Sequence, residues 1–200
     1  MSISILIPFR GTKSDKSRLR KDIDDVLVEK LLQKMLQYVI SEVSQLKQEK
    51  KIYLLTKTES IEFQGNFEII EDRGENLNDS LVKAFKSIQE EIIIIVMADL
   101  PLLKTEDVER VIIEVKQNHK IVLAPTFDNG TSILGFYKDM LFPLLFGDNS
   151  AKKFQKMFLE KDIENKLLTY SDRYKDIDTF KDLIELKRNN ILPDWLAEII

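Results

Sequence analysis

Cysteine is absent from this chain of 200 residues, and histidine occurs once. The lack of cysteine excludes disulfides, thiolate nucleophiles and cysteine-based metal sites. The single histidine, His119, lies in a polar stretch and is expected at the surface, so a histidine relay is not predicted. Chemistry that needs no protein nucleophile is therefore favoured.

Long hydrophobic runs and an excess of positive charge are missing too. No apolar segment approaches the ~20 residues of a membrane span, and the N-terminus lacks the order of regions found in a signal peptide. The chain carries 30 basic and 34 acidic residues, a net charge of -4, so it offers no general cationic surface to nucleic acid. We therefore expect a cytoplasmic protein without membrane or nucleic-acid partners, in which any phosphate chemistry is local.

Two glycine-rich sequence motifs that bind phosphate are also absent. Neither G-x-x-x-x-G-K-[ST] nor G-x-G-x-x-G occurs in this sequence, which has only 6 glycines. Their absence excludes a P-loop NTPase and an ordinary dinucleotide dehydrogenase. Any phosphate site must therefore rely on side chains.

Short β-branched runs alternate with longer stretches of helical period, which is typical of an α/β fold with a mainly parallel sheet covered by helices. The 44% hydrophobic content suffices for one core, so we expect a single domain over residues 1–200. The predicted strands are Ser2 to Pro8, Lys51 to Thr56, Phe67 to Glu71, Ile92 to Met97, Ile121 to Ala124, Thr131 to Phe136 and Lys166 to Tyr170. The predicted helix N-caps are Asp24 or Asp25, Thr105, Ser150 and Thr179.

A basic loop follows the first predicted strand. Six cations lie within twelve residues that contain one acid, Asp15; they are Arg10, Lys13, Lys16, Arg18, Arg20 and Lys21. Because ligands of open α/β sheets bind at the carboxyl ends of strands, this position favours an anion site over a solvated loop. Gly11 would allow the backbone to approach a phosphate closely.

Two acidic positions are candidate metal ligands. Asp99 follows the apolar run Ile92 to Met97, and we expect Pro101 to end that strand. A carboxylate at the end of a buried strand needs a cation, and magnesium on substrate phosphates is the usual one, although a turn or cap role stays open. Asp176-Ile177-Asp178-Thr179 offers a second pair, for which spacing alone favours a helix cap.

Two polar turns could hold an anion. Gly130-Thr131-Ser132 opens a predicted strand and is also an ordinary hairpin signal. Gly147 precedes the helix beginning near Ser150, where a backbone anion nest and a plain capped helix are both consistent with the sequence. The segment from Lys138 to Asn149 interrupts the strand and helix alternation and could carry a substrate loop. Trp195 is expected to pack rather than bind a ligand.

Taken together, these motifs resemble the 2-phospho-L-lactate guanylyltransferases of coenzyme F-420 biosynthesis, from Pro8 to about Leu183. The motifs are Pro8 with Lys16-Ser17-Arg18-Leu19, Leu77-Asn78, Asp99-Leu100-Pro101, Gly130-Thr131, Phe146-Gly147 with Ser150-Ala151, and Asp176-Ile177-Asp178-Thr179. The resemblance implies a Rossmann-like three-layer α/β/α nucleotidyltransferase fold with a mainly parallel mixed sheet. The sequence departs from the family at Ser132, where many members have Asn, and at Arg10, where many have Lys.

The resemblance also implies roles for individual residues. Asp99 and Asp178 would hold magnesium, and Asp99, Lys16 and Arg18 would be catalytic. The nucleotide-binding residues would be Pro8, Arg10, Gly11, Lys13, Lys16, Arg18 and Asn78. Thr131, Gly147 and Ser150 would bind the phosphorylated acid. Family members are often dimers, and the apolar stretch Leu141 to Phe146 could supply a dimer contact or belong to the core.

The reaction implied by the resemblance joins GTP to a phosphorylated hydroxy acid. A phosphate oxygen of 2-phospho-L-lactate would attack the α-phosphorus of GTP, and pyrophosphate would leave in line, offset by Lys13, Lys16 and Arg18. Phosphoenolpyruvate or another phosphorylated three-carbon acid is an alternative acceptor. A non-catalytic nucleotide-binding regulatory module is the alternative from another functional class.

Overall fold

A computed structural model describes residues 1–10, 16–57, 65–140 and 142–199. Within these ranges the strands are Ile3–Pro8 (β1), Lys50–Thr56 (β2), Glu68–Glu71 (β3), Ile92–Val96 (β4), Ile121–Pro125 (β5), Thr131–Tyr137 (β6) and Asn165–Leu167 (β7). The α-helices are Asp25–Ser44 (α1), Leu77–Ala84 (α2), Thr105–Asn118 (α3), Ser150–Glu160 (α4), Phe180–Arg188 (α5) and Asp194–Ala197 (α6). Short 3-10 turns cover Leu19–Lys21 and Asp172–Tyr174.

The strands form one mixed sheet in the order β3-β2-β1-β4-β6-β5-β7. Every neighbouring pair is parallel except the two that involve β6, which runs antiparallel to β4 and to β5. This arrangement confirms the predicted mainly parallel mixed sheet. The reversal of β6 matters for the site, because the start of β6 lies at the edge where β1 and β4 end.

Helices cover the sheet on both faces, as predicted. Strand β4 shows the reason, since Ile92, Ile94 and Val96 join one core cluster while Ile93 and Ile95 join the other. Alternate residues of a strand point to opposite faces, so an unbroken apolar run is what a doubly covered strand requires. The first cluster contains apolar residues of α1, α3, α5 and α6, and the second contains those of α2 and α4.

Several predicted boundaries need correction. The predicted N-caps Thr105 and Ser150 are wrong: each is the first residue of its helix, and the cap positions are occupied by Lys104 and Asn149. The two hydroxyl groups are used elsewhere: that of Thr105 bonds Glu42, and that of Ser150 pairs with Thr131. Asp24 caps α1 and Thr179 caps α5, as predicted.

The prediction that Pro101 ends the fourth strand is also wrong. Strand β4 ends at Val96, and the chain turns at Ala98 and Asp99 before it reaches the proline. The early turn directs Leu100 and Leu103 into the core, where both are fully buried. The last strand is shorter than predicted, since it ends at Leu167 rather than Tyr170.

His119 and Trp195, which are expected to have no chemical role, both pack against aromatic rings. His119 is exposed at the end of α3, with its ring 4.1 Å from that of Tyr137. Trp195 stacks on Tyr38 at 5.1 Å, as expected of a packing residue.

In the apolar stretch before α4, Leu144 and Phe146 are buried core residues, whereas Leu141 lies outside the described residues. Among the described helices, none combines the length and apolar character needed to cross a bilayer.

Gly135 in β6 allows α3 to pack directly on the sheet, and its replacement by alanine is expected to destabilise the fold. An added Cβ would lie 2.6 Å from Val111 Cγ1 and 2.9 Å from Ile94 Cδ1, both of which are buried. Overpacking of this kind costs about 1–3 kcal/mol of unfolding free energy, measurable by urea denaturation. Ile113→Ala, on the exposed face of α3, is the control and should change stability by less than about 0.5 kcal/mol. Equal stability of Gly135→Ala and the native chain would contradict this packing.

Candidate active site

Residues from distant parts of the sequence meet at one edge of the sheet. Strands β1 and β4 end there, and the antiparallel β6 begins there with Thr131. The segment between β7 and α5 reaches the same edge, since the amide of Ile177 donates to the carbonyl oxygen of Asp99 at 3.3 Å. This hydrogen bond joins two chain segments that are almost eighty residues apart.

Three carboxylates converge at this junction. One oxygen from each of Asp99, Asp176 and Asp178 lies within 4.8 Å of the other two. Burial and the neighbouring Asp99 charge raise the pKa of Asp176 to about 7, against an opposing effect of Lys16. Three like charges this close repel one another, so the cluster needs a cation or a proton near neutral pH.

The segment that carries two of these carboxylates is held firmly. Ile177 and Tyr174 are buried in the core, so Asp176 and Asp178, on either side of Ile177, project from the opposite side of the extended chain. Arg173 pairs with the buried Asp107 of α3 at 3.2 Å and fixes the preceding turn. The site is therefore preformed by packing.

Lys16 lies inside the acidic cluster. Its ammonium forms ion pairs with Asp99 and with Asp178, and its side chain is only 12% exposed. Burial lowers the pKa of Lys16, but the charges of Asp99 and Asp178 raise it by more, so its pKa lies above the usual value. Lys16 also has a φ of 54°, a left-handed conformation that lysine rarely adopts, and the two ion pairs compensate for that strain.

The donor set fits a divalent cation. Carboxylate oxygens are the protein ligands that magnesium prefers. Asp99 Oδ1 is a buried atom that has no hydrogen-bond partner among the described residues, although buried polar atoms are usually paired. An oxygen of this kind, beside two further carboxylates, is what a metal ion would satisfy.

A cavity of about 390 Å³, here called the first cavity, opens on the β1 side of the cluster. Its walls are largely apolar, with Phe9, Leu32, Leu77 and Met97, and its lining also includes three cations, Arg10, Lys16 and Arg18. The lining residues are Pro8, Phe9, Arg10, Lys16, Ser17, Arg18, Leu32, Leu77, Met97, Ala98, Asp99 and Asp178. Apolar walls next to cations suit a nucleoside with attached phosphates.

A second cavity of about 230 Å³ opens on the β6 side of the same cluster. The hydroxyl groups of Thr131 and Ser150 are 2.8 Å apart in its wall, and Gly147 and Asn149 have φ angles of 121° and 54° in the turn before α4. Among the described lining residues are five aspartates and neither lysine nor arginine; the aspartates are Asp99, Asp128, Asp148, Asp176 and Asp178. An anion could enter this cavity only with a cation and with hydroxyl or backbone donors.

Most of the predicted site residues line these two cavities. Pro8, Arg10, Lys16, Arg18, Asp99 and Asp178 line the first, and Thr131, Gly147 and Ser150 line the second, together with both aspartates. Gly11 and Lys13 lie outside the described residues. Asp176 was not predicted as a ligand, although the Asp-x-Asp spacing on an extended segment could have indicated it. The side chain of Arg20 faces α1, where it pairs with Asp25 at 2.9 Å.

Asn78 has a role that the sequence did not indicate. Its side-chain amide donates to the carbonyl of Phe146 at 3.1 Å, and its oxygen accepts from the Phe146 amide at 2.8 Å. Both bonds join α2 to the turn that carries Gly147 and Ser150. Asn78 thus fixes the wall of the second cavity, and the predicted nucleotide contact of Asn78 stays a prediction.

If the first cavity binds a nucleotide and the second a small acid, Asn78→Ala should raise the KM of the acid about tenfold and leave the KM of the nucleotide within about twofold. The reason is that two buried backbone groups of Phe146 lose their partners, at a cost of about 1–3 kcal/mol. Steady-state kinetics with each substrate varied in turn would measure this. Asn118→Ala, at the exposed end of α3, is the matched control. A rise confined to the nucleotide KM would instead assign Asn78 to the first cavity.

The family model described as guanylyl transferase CofC like matches residues 3–189. The chain belongs to this family. The match includes all seven strands and every residue that lines the two cavities. It confirms the resemblance found from the motifs, and it makes the chain a nucleotidyltransferase by family.

The curated relatives of this chain are named either 2-phospho-L-lactate guanylyltransferase or phosphoenolpyruvate guanylyltransferase. The chain is 29% identical over 192 residues to the 2-phospho-L-lactate guanylyltransferase of Methanocaldococcus vulcanius, covering 91% of the chain and 83% of that protein. The corresponding protein of Methanocaldococcus jannaschii is 28% identical over 138 residues, 67% of the chain and 59% of that protein. The phosphoenolpyruvate guanylyltransferase of Chloroflexus aggregans is 28% identical over 187 residues, 88% of the chain and 92% of that protein.

Solved structures confirm the nucleotidyltransferase fold. A nucleotidyl transferase from Methanothermobacter superposes with a TM-score of 0.70 at 16% identity, covering 94% of the chain and 96% of that structure. A candidate nucleotide-diphospho-sugar transferase from Desulfovibrio desulfuricans gives a TM-score of 0.79 at 18% identity, covering 98% and 90% respectively. These identities support the fold alone.

Proposed function

We propose that this guanylyl transferase transfers GMP from GTP to 2-phospho-L-lactate and releases pyrophosphate, as a step of coenzyme F-420 biosynthesis. The observation that carries the proposal is the position of the three carboxylates between two unlike cavities. The first cavity suits a nucleotide, and the second suits a small anion that enters with a metal. The relatives named for 2-phospho-L-lactate support the choice of acid.

The reaction needs no general base. A phosphate oxygen of the acid, already an anion, forms a bond to the α-phosphorus of GTP, and the bond from that phosphorus to the bridging oxygen of pyrophosphate breaks. Lys16 and Arg18, which line the first cavity, would offset the charge that develops on the leaving pyrophosphate. Positioning and charge stabilisation would therefore supply the rate enhancement, as in other phosphoryl transfers.

Magnesium is the cation we propose for the carboxylate cluster, with Asp99, Asp176 and Asp178 as its candidate ligands. When bound, it would supply a Lewis acid that offsets negative charge on the phosphate groups. The hydroxyl groups of Thr131 and Ser150 and the turn at Gly147 would orient the carboxylate of the acid. The described wall of the second cavity contains no basic side chains, which supports assigning the phosphate charge to magnesium and the orientation of the acid to the hydroxyl groups and the turn.

Phosphoenolpyruvate is the second candidate acceptor. It presents a phosphate and a carboxylate on a three-carbon frame, as 2-phospho-L-lactate does, and the relative named for it matches 88% of the chain. The two acids differ at the carbon that carries the phosphate, which is planar in phosphoenolpyruvate and tetrahedral in phospholactate. A pyrophosphate-release assay with GTP and each acid, including 3-phosphoglycerate as a third, decides between them through kcat/KM.

The same assay tests the alternative of a regulatory module. Pyrophosphate release with one of the acids at saturating magnesium is the expected result. Tight binding of GTP, measured by calorimetry, without pyrophosphate release from any acid would overturn the proposed function and favour a non-catalytic nucleotide-binding protein.

A further inference from the structure

Arg10, a cation of the first cavity, is bound to a buried carboxylate of another loop. Its Nε donates to Asp72 Oδ2 at 3.1 Å, and its Nη2 donates to Ser80 Oγ at 3.0 Å. The side chain of Asp72 is only 2% exposed, and Asp72 Oδ1 also accepts from the amide of Gly74 at 2.8 Å. Ser80 is buried and donates to the carbonyl of Asn76. Arg10 is therefore held in one orientation by groups that are themselves fixed.

This pairing changes what Arg10 can do for a ligand. The charge of its guanidinium is offset by Asp72, so Arg10 attracts a phosphate less than an unpaired arginine would. A guanidinium has five N–H donors, and the two bonds to Asp72 and Ser80 leave three of them. Among the described residues no partner contacts Nη1, and Arg10 lines the first cavity. A guanidinium whose charge is offset and whose orientation is fixed is suited to donate hydrogen bonds to an uncharged group that carries acceptors.

The topology places the remaining N–H groups of Arg10 at the nucleoside end of the first cavity. Along the sheet edge the order is β3, β2, β1, β4 and β6. Asp72 follows β3 and Arg10 follows β1, while Asp99 follows β4 and Thr131 begins β6. If the acid occupies the β6 side and the transferred phosphorus lies near the carboxylates, the nucleoside must extend toward β1 and β3. The apolar side chains of Phe9 and Leu77 line the same cavity, where they could pack against a base.

We propose that Arg10, oriented by Asp72 and Ser80, donates hydrogen bonds to the acceptor edge of the purine and thereby selects guanine over adenine. The inference rests on the proposed function, because it takes the first cavity as the nucleotide site. Guanine presents two acceptors, O6 and N7, on one edge, and a guanidinium matches them in a bidentate contact. Adenine presents a donor in place of O6, which would face the N–H groups of Arg10. Asp72 and Ser80 are then positioning residues.

The experiment measures kcat/KM for GTP, ITP and ATP, and calorimetry measures the affinity of the same nucleotides without any acid. The native chain should prefer GTP to ATP and should accept ITP nearly as well as GTP, because inosine keeps O6 and N7. Arg10→Met should lower the preference for GTP over ATP about 10- to 100-fold, mostly by weakening GTP. Arg18→Met, in the lining of the same cavity, is the matched control and should weaken all three nucleotides equally.

A second variant covers the case in which Arg10→Met fails to fold because Asp72 loses its partner. Arg10→Met combined with Asp72→Asn removes both charges and should show the same loss of preference. The inference is overturned if either folded variant keeps the native GTP to ATP ratio, if ITP is as poor as ATP, or if the native chain binds GTP and ATP equally. Preferential GTP binding without turnover of any acid would refute the proposed function and leave the Arg10 comparison intact.

Discussion

Asp99→Asn is expected to lower kcat at least about 10³-fold while leaving the fold intact, which is a loss of about 4 kcal/mol of transition-state stabilisation. The substitution keeps the size of the side chain and removes one of the three charges that converge on the proposed metal. Stability should change little, because the loss of the Lys16 ion pair is accompanied by relief of repulsion from Asp176 and Asp178. Pyrophosphate release at saturating magnesium, GTP and acid would measure kcat, and thermal melting would check the fold.

Asp139→Asn is the matched control for this variant. Asp139 is exposed just beyond the end of β6, at the opposite edge of the sheet, and its replacement makes the same change of net charge. It should retain native kcat. If Asp99→Asn kept more than about a tenth of native kcat, the assignment of Asp99 as a metal ligand would be wrong.

Lys16→Met should have two opposite effects. Turnover should fall about 10²-fold, because the leaving pyrophosphate loses a cation. In the absence of nucleotide, however, Mn²⁺ should bind about tenfold more tightly to the variant, because the ammonium of Lys16 no longer competes for Asp99 and Asp178. The metal-free variant should also melt at a lower temperature, since the clustered carboxylates of Asp99 and Asp178 lose their cation, and Mn²⁺ should restore the loss.

Titration of Mn²⁺ followed by electron paramagnetic resonance would measure this competition. Lys21→Met removes the same charge from an exposed residue of the neighbouring 3-10 turn and should leave Mn²⁺ affinity unchanged. Weaker Mn²⁺ binding by Lys16→Met than by the native chain would mean that Lys16 supports the metal site rather than competing for it.

The sequence was sufficient to predict the sheet and to name most of the residues that the structure brings together around the two cavities. Strand β4 could be predicted because a run of four isoleucines and a valine favours an extended strand that is buried on both faces of a sheet. Lys16, Asp99 and Asp178 could be grouped by the resemblance of short motifs, and the structure brings their charged groups together. Thr131 and Ser150 could be grouped in the same way, and their hydroxyl groups are hydrogen-bonded.

The parts that could not be predicted depend on long-range contacts. The hydrogen bond from Ile177 to Asp99 joins segments far apart in sequence, and no local pattern indicates that these two segments meet. The link between Asn78 and Phe146 is of the same kind. The cap positions of α3 and α4 were missed because Thr105 and Ser150 have tertiary partners that outweigh their local preference for the cap.

The central claim is that Asp99, Asp176 and Asp178 hold one divalent cation between the nucleotide and the acid. Anomalous diffraction from crystals grown with Mn²⁺ and GTP tests it most directly. We predict a strong anomalous peak at coordination distance from the carboxylates of Asp99 and Asp178, at the position of the Lys16 ammonium, with Lys16 displaced toward the phosphates. Bound GTP with no peak between these carboxylates, or with a peak only elsewhere in the molecule, would contradict the account.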